Sequence, residues 1–150
     1  MKIKNNFKKI VEILKKDDNF LITSHINLDG DAIGSELALN FVLKKLNKKS
    51  IILNQDKLPK IYRFLPESDK VYNLKENEFD KKIYNVGIIL DSSNIDRIGK
   101  ISKILDNINI IINIDHHKSN ENYGNINYID HSASSVGEII YDLIKYMNDV

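Results

Sequence analysis

Residues 108–117 read INIIINIDHH, from Ile108 to His117. The stretch from Ile108 to Ile114 is apolar except for two asparagines and carries no charge. A short run this rich in β-branched side chains predicts a strand covered on both faces. The composition then changes abruptly to Asp115, His116 and His117. An acidic residue and two imidazoles have little packing purpose at the end of a buried strand. The step from Ile114 to Asp115 therefore locates a candidate site as well as a strand end.

Working outward, the same pattern recurs. Residues 86–90 (VGIIL) read as a second buried strand, ending on Asp91. Residues 20–23 (FLIT) read as a third, followed by a loop from His25 to Asp31 that holds Asp29 and Gly30. Residues 50–53 (SIIL) form a further strand, and Val71 and Leu74 suggest a weak one. Between them lie helical spacings. Phe7, Ile10, Val11 and Leu14 predict a helix over 4–16, and Ile33, Leu37, Phe41 and Leu46 one from Ala32 to about Leu46. Pro59 opens a turn or short helix that Pro66 closes. Ile98, Ile101, Ile104 and Leu105 predict another helix, and residues 135–147 the last, with Ser135 and Glu138 in capping-box spacing. Strands alternating with helices imply parallel βαβ units. The expected architecture is a three-layer α/β/α sandwich on a parallel sheet. No repeat or linker interrupts the chain, so one domain over 1–150 is expected.

Composition narrows the function. Hydrophobic residues make up 42% of the 150 positions, enough for a core, and Lys plus Arg (22) nearly equals Asp plus Glu (21). A net charge of +1 gives no field for wrapping duplex nucleic acid, though a short anionic substrate remains compatible. No cysteine is present, which removes thiolate metal sites. No signal-like apolar segment or membrane-length run is visible, so a cytoplasmic location is expected. Only two arginines, Arg63 and Arg97, occur among many lysines.

His25, Asp29, Asp31, Asp91, Asp115, His116 and His117 all follow the C-terminal ends of predicted strands, the edge where open parallel sheets bind ligands. Taken singly, Asp29-Gly30-Asp31 also suits a turn, and Asp91 a helix cap. An EF-hand loop is excluded, because Ile33 is apolar and no Glu closes it. Together, four carboxylates and three imidazoles without an intervening Lys or Arg would repel one another unless divalent cations were held among them. Oxygen and nitrogen ligands without sulfur suit Mn²⁺, and two such ions can activate water and stabilise a phosphoryl oxygen. Asp91, alone on its strand end, is the natural bridge.

The spacing H-x-x-x-D-x-D (His25, Asp29, Asp31), a lone strand-end Asp91 and Asp115-His116-His117 resembles the DHH phosphoesterase superfamily. SHINLDGDAIGSELAL, LDSSNIDRIG, NIDHHKSNENYGNINYID and ASSVGEIIY are similar to its bacterial nanoRNase and pAp-phosphatase branch. The resemblance runs from about Phe20 to the end of the sequence. It implies two Mn²⁺ ions, with Mg²⁺ or Co²⁺ as substitutes. His25 and Asp29 would hold one, Asp31 and His116 the second, and Asp91 would bridge them. Asp115 would orient an imidazole, His117 would contact the substrate phosphate or leaving group, and Arg97 would contact phosphate. Arg63 is expected to be structural, Ser134 and Ser135 to cap the last helix, and Asp130 and His131 to lie in its entry turn.

The implied reaction is hydrolysis of short oligoribonucleotides, linear or cyclic dinucleotides, or 3′-phosphoadenosine 5′-phosphate. Type II inorganic pyrophosphatases share the motifs, but ASSVGEIIY favours the nuclease branch. Leu28 stands where the family usually has Pro. Family members also continue into an Asp-Thr-Gly segment with a further metal ligand, and then a C-terminal substrate domain. Neither is in this sequence. A separately encoded C-terminal half is therefore an expectation, as is its alternative, a non-catalytic remnant. A homodimer is left open.

Overall fold

The structure is a computed structural model and describes residues 2–74 and 84–148. The described elements are α1 (Lys2–Lys16), β1 (Phe20–Thr23), α2 (Gly30–Lys45), β2 (Ser50–Asn54), β3 (Val71–Asn73) and β4 (Val86–Leu90). After them come a 3-10 stretch (Ile95–Ile101) running into the short α3 (Ser102–Leu105), then β5 (Ile110–Asp115), β6 (Ile126–Ile129) and α4 (Val136–Asn148). The six strands form one all-parallel sheet in the order β3-β2-β1-β4-β5-β6.

Side chains alternate across each strand, so each strand feeds two cores. Phe20, Ile22, Val86, Ile88, Leu90, Ile112 and Ile114 pack against α1, α2 and α4 on one face. Leu21, Leu53 and Ile89 pack against Ile98, Ile101, Ile104 and Leu105 on the other. This is the expected three-layer arrangement. The strands are nearly all apolar because both faces are covered. The fit is tight at Gly87 on β4, where an added Cβ would lie 2.8 Å from Leu105 Cδ2.

Two expectations change. The spacing of Ile98, Ile101 and Ile104 suggested an α-helix, but the segment is mostly 3-10, and its three-residue repeat suits that tighter helix. Gly99 breaks it, with φ +61, where any side chain would collide with the Gln55 amide. In addition, β6 adds an edge strand that the sequence reading did not contain. Its residues INYI are short and half-polar, yet Tyr128 is buried and stacks on Phe7 of α1 with ring centroids 4.2 Å apart. Among the described residues, no helix is long and apolar enough to cross a membrane.

The order reverses direction between β1 and β4: successive strands are added outward on one side through β2 and β3, and on the other through β5 and β6. In doubly wound sheets, the loops leaving the two strands at such a switch point diverge and open a crevice at their C-terminal edge. His25 leaves β1 there, and Asp91 leaves β4.

Candidate metal centre

Strand register brings the motif residues together. Thr23 pairs with Ile89 and Leu90 with Ile114. Carried one or two residues further, these registers set His25, Asp91 and Asp115 side by side. Asp91 adopts a left-handed conformation, φ 55, an uncommon state that Asp tolerates better than most residues. Its N–H donates to Ile114 O at 3.1 Å.

Asp91 is the centre of the cluster. It is buried, with Oδ2 3.4 Å from His25 Nε2 and Oδ1 3.6 Å from His116 Nε2. His117 Nδ1 is also 3.6 Å from Oδ1. Among the described residues, Oδ1 has no hydrogen-bond partner. Potential ligand atoms of His25, Asp29 and Asp91 lie within 4.8 Å of one another, as do those of Asp91, His116 and His117. The two groups share Asp91, one oxygen toward each.

The imidazoles are oriented for this. His25 Nδ1 donates to Ile26 O at 2.6 Å and His116 Nδ1 to Ala133 O at 3.2 Å, which turns each Nε2 toward Asp91. The Asp91 carboxylate holds the His25 pKa above its ordinary value, against the burial that lowers it. His117 Nδ1 donates to Asp115 Oδ1 at 2.7 Å.

Asp115, fully buried, is the hub behind the histidines. Its Oδ1 also accepts from His116 N at 2.8 Å, and its Oδ2 accepts from Asn120 Nδ2 at 2.7 Å. Burial pushes the Asp115 pKa up, but the Asn120 and His117 hydrogen bonds outweigh it and the net shift is downward. Asn120 also donates to Asn113 Oδ1 at 2.8 Å, and Asn113 donates to Tyr123 Oη at 2.9 Å. Tyr123 Oη in turn donates to Ser92 O at 2.9 Å, just past Asp91. Sequence reading missed Asn113, Asn120 and Tyr123. The visible signal was Asn113, an amide inside an otherwise apolar strand.

Asp29 and Asp31 flank the crevice in different ways. Asp29 caps α2, its Oδ1 accepting from Ala32 N at 3.0 Å, while Oδ2 lies 3.7 Å from His25 Nε2. Asp31 reaches α4: Oδ2 accepts from Val136 N and Oδ1 from Gly137 N, both at 2.8 Å. Its Oδ2 is 4.0 Å from His116 Nε2. Asp31 thus stands on the His116 side of the cluster, with both oxygens accepting from a helix terminus.

The remaining expected residues separate clearly. Arg97 is half-buried; its carbonyl accepts from Ile26 N at 2.7 Å, fastening the His25 loop to the 3-10 stretch. Its charge acts on Tyr123, and its guanidinium has no ion-pair partner among the described residues. Arg63 is exposed and belongs to neither of the two ligand groups. Ser135 Oγ accepts from Glu138 N at 3.1 Å, and Glu138 Oε2 accepts from Ser134 N at 2.8 Å, so both serines shape the start of α4. Asp130 caps its own turn through Ser132, and exposed His131 lies outside the cluster. Leu28, in the family's proline position, is buried in the core.

The donor set fits divalent cations. A buried carboxylate oxygen with no donor is costly, and a bound cation would remove that cost. Imidazole and carboxylate ligands without thiolate suit Mn²⁺ and related ions.

Residues 19–150 match the family described as DHH family, N-terminal domain. The chain is 30% identical over 144 residues to the bifunctional oligoribonuclease and PAP phosphatase NrnA of Thermus thermophilus, covering 92% of this chain and 40% of that protein. It is 30% identical over 137 residues to the probable bifunctional oligoribonuclease and PAP phosphatase NrnA of Streptococcus mutans, covering 91% and 41%. The crystal structure of an exopolyphosphatase-related protein from Bacteroides fragilis superposes with a TM-score of 0.89 at 28% identity, covering 96% of this chain and 44% of that one. The chain thus spans about two fifths of the length of the curated relatives it matches.

Proposed function

The chain belongs to the DHH family, and from that premise we propose that it supplies the metal-binding half of a phosphoesterase acting on short nucleotides. The proposed substrates are di- to short oligoribonucleotides, cyclic dinucleotides and 3′-phosphoadenosine 5′-phosphate. One observation carries the reading: the buried Asp91 carboxylate presents one oxygen to His25 and the other, unpartnered, to His116. A carboxylate so placed would suit two divalent cations, which supports this reading.

In this reading His25 and Asp29 would hold one Mn²⁺, His116 and Asp31 the other, and Asp91 would contribute to both. When bound, the pair supplies water activation and charge stabilisation at phosphorus. The protein's own part is orientation. Ile26 and Ala133 carbonyls fix the two ligand imidazoles. Asp115 holds His117 by Nδ1 and leaves Nε2 for a phosphate oxygen or leaving group. Arg97, whose guanidinium has no ion-pair partner among the described residues and whose charge acts on Tyr123, is the proposed phosphate contact.

The test is Mn²⁺-dependent hydrolysis of a panel of dinucleotides, 3′-phosphoadenosine 5′-phosphate and pyrophosphate. It is run with the chain alone and with any separately encoded C-terminal half added. Nucleotide turnover lost on chelation supports the proposal. Turnover of pyrophosphate alone would assign the pyrophosphatase branch. Mn²⁺ binding with no turnover in either arrangement would leave a binding remnant.

A further inference from the structure

Among the described residues, three buried side-chain oxygens lack a hydrogen bond of good geometry, Ser24 Oγ, Glu36 Oε1 and Asp91 Oδ1, although the Ser24 hydroxyl still acts on the Glu36 carboxyl. They share one end of the sheet. Ser24 and Asp91 immediately follow β1 and β4, and Glu36 comes from α2, which covers that end. Asp91 is accounted for by the proposed metal centre. Glu36 is not: it lies within the SHINLDGDAIGSELAL segment, but the resemblance gives it no role there.

Glu36 is fully buried. Its Oε2 accepts from Asn54 Nδ2 at 3.0 Å. Asn54 Oδ1 accepts in turn from Ser24 N at 3.0 Å and Thr23 Oγ1 at 3.2 Å. The carboxyl is thus tied, through one amide, to the strand end that carries His25. The titratable groups acting on it are His25, from the loop after β1, and Asp91, from the end of β4. Among the described residues, no Lys or Arg pairs with it. A helix built only for packing would place an apolar residue here, between Ile33 and Leu39.

A buried carboxylate without a cation is strongly unfavourable, and evolution of a core favours its loss unless something positive faces it. The proposed ligands Asp29, Asp31 and Asp91 set three negative charges against the four positive charges of two divalent ions. One further buried carboxylate makes the centre neutral.

We infer that Glu36 is a positioning and charge-compensating residue of the metal centre, facing the cations from behind His25 and Asp91 and strengthening their binding. This rests on the reading that metal ions occupy the cluster. Burial pushes the Glu36 carboxyl up to about 7, with Asp91 adding to the rise and Ser24, Asn54 and His25 opposing it. The metal-free chain therefore carries Glu36 partly protonated at neutral pH, and cation binding expels that proton.

The decisive variant is Glu36→Gln, which keeps shape and an Asn54 partner but removes the charge. Two measurements are made on the full chain: thermal unfolding without metal at pH 8, and Mn²⁺ titration calorimetry in two buffers of different ionisation enthalpy. The expected signs are opposite. Glu36→Gln raises the metal-free Tm, yet weakens Mn²⁺ binding by about tenfold or more and lowers the number of protons released per ion. A residue that is merely structural would not give opposite signs. Unchanged affinity and proton release, with the parent chain binding Mn²⁺ normally, would overturn this inference alone. A lower metal-free Tm, or failure of the variant to fold, would also overturn it, since the charge would then be supporting the fold. If the parent chain itself takes up no Mn²⁺, the metal-centre reading falls first.

Discussion

The carboxylate of Asp31 accepts a 2.8 Å hydrogen bond from the backbone N–H of Gly137, 106 positions later in the chain. Together with the Val136 contact, it satisfies the first turn of α4 in the way a local N-cap side chain would. Asp31→Ala is therefore expected to destabilise the metal-free chain by about 1–2 kcal/mol, the range for a lost helix cap. Urea denaturation in the presence of a chelator measures this. Unaltered stability would show that Val136 and Gly137 find water as readily as Asp31.

Asp91→Asn separates charge from backbone geometry. Asn tolerates the left-handed conformation that Asp91 adopts, so the metal-free fold is expected to persist, with stability equal to or slightly above that of the parent. Mn²⁺ affinity should fall by more than about 100-fold, since even residues behind a ligand are worth about 10–100-fold. Asp91→Ala adds backbone strain of about 1 kcal/mol or more and lowers stability as well. Calorimetry and thermal unfolding of both variants distinguish the two effects. Tight metal binding by Asp91→Asn would remove this residue from the shared position.

Asn120 holds the buried Asp115 carboxylate by Oδ2 while His117 holds it by Oδ1. Asn120→Ala leaves a buried charged oxygen unpaired and is expected to cost about 1–3 kcal/mol in denaturant titrations. The His117 ring should also lose its fixed orientation, visible as broadened imidazole resonances. Sharp, unshifted His117 signals would mean that Asp115 is held by the strand alone.

Metal-free stability should decline as pH rises. Glu36 has its pKa raised in the folded chain from 4.5 to about 7. Its favourable contribution is complete below the unfolded value and disappears as pH climbs through the folded one. His25, raised above 6.5 beside Asp91, acts with the same sign from that value upward. Asp115, lowered below 3.8, works oppositely, and its contribution is lost only as pH falls through its folded pKa. Thermal unfolding from pH 5 to 8 with chelator should thus show falling Tm, and added Mn²⁺ should reverse the trend. A Tm that rises across this window without metal would contradict these signs.

Much of this was legible in the sequence because local chemistry coincided with tertiary demand. FLIT and VGIIL are strands with the boundaries their composition suggested, since residues buried on both faces leave little ambiguity. The ligand candidates stood out because charged side chains followed apolar runs abruptly. Features that depend on distant partners were hidden. Nothing near Asp31 announces that it will cap α4. Glu36 carried no signal, and Asn113 stood out only as an amide in an apolar strand, because their partners Asn54 and Asn120 are distant in sequence or beyond the strand. The strand β6 was missed because its burial comes largely from α1, at the other end of the chain.

The reversal of strand order between β1 and β4 also governs when the site can exist during folding. His25 and Asp91 become neighbours only after two segments separated by α2, β2 and β3 have come together in parallel, a non-local and therefore slow event. A cation captured by both residues would accordingly report that this crossing is complete. Metal uptake during refolding should trail the appearance of helical signal rather than accompany it.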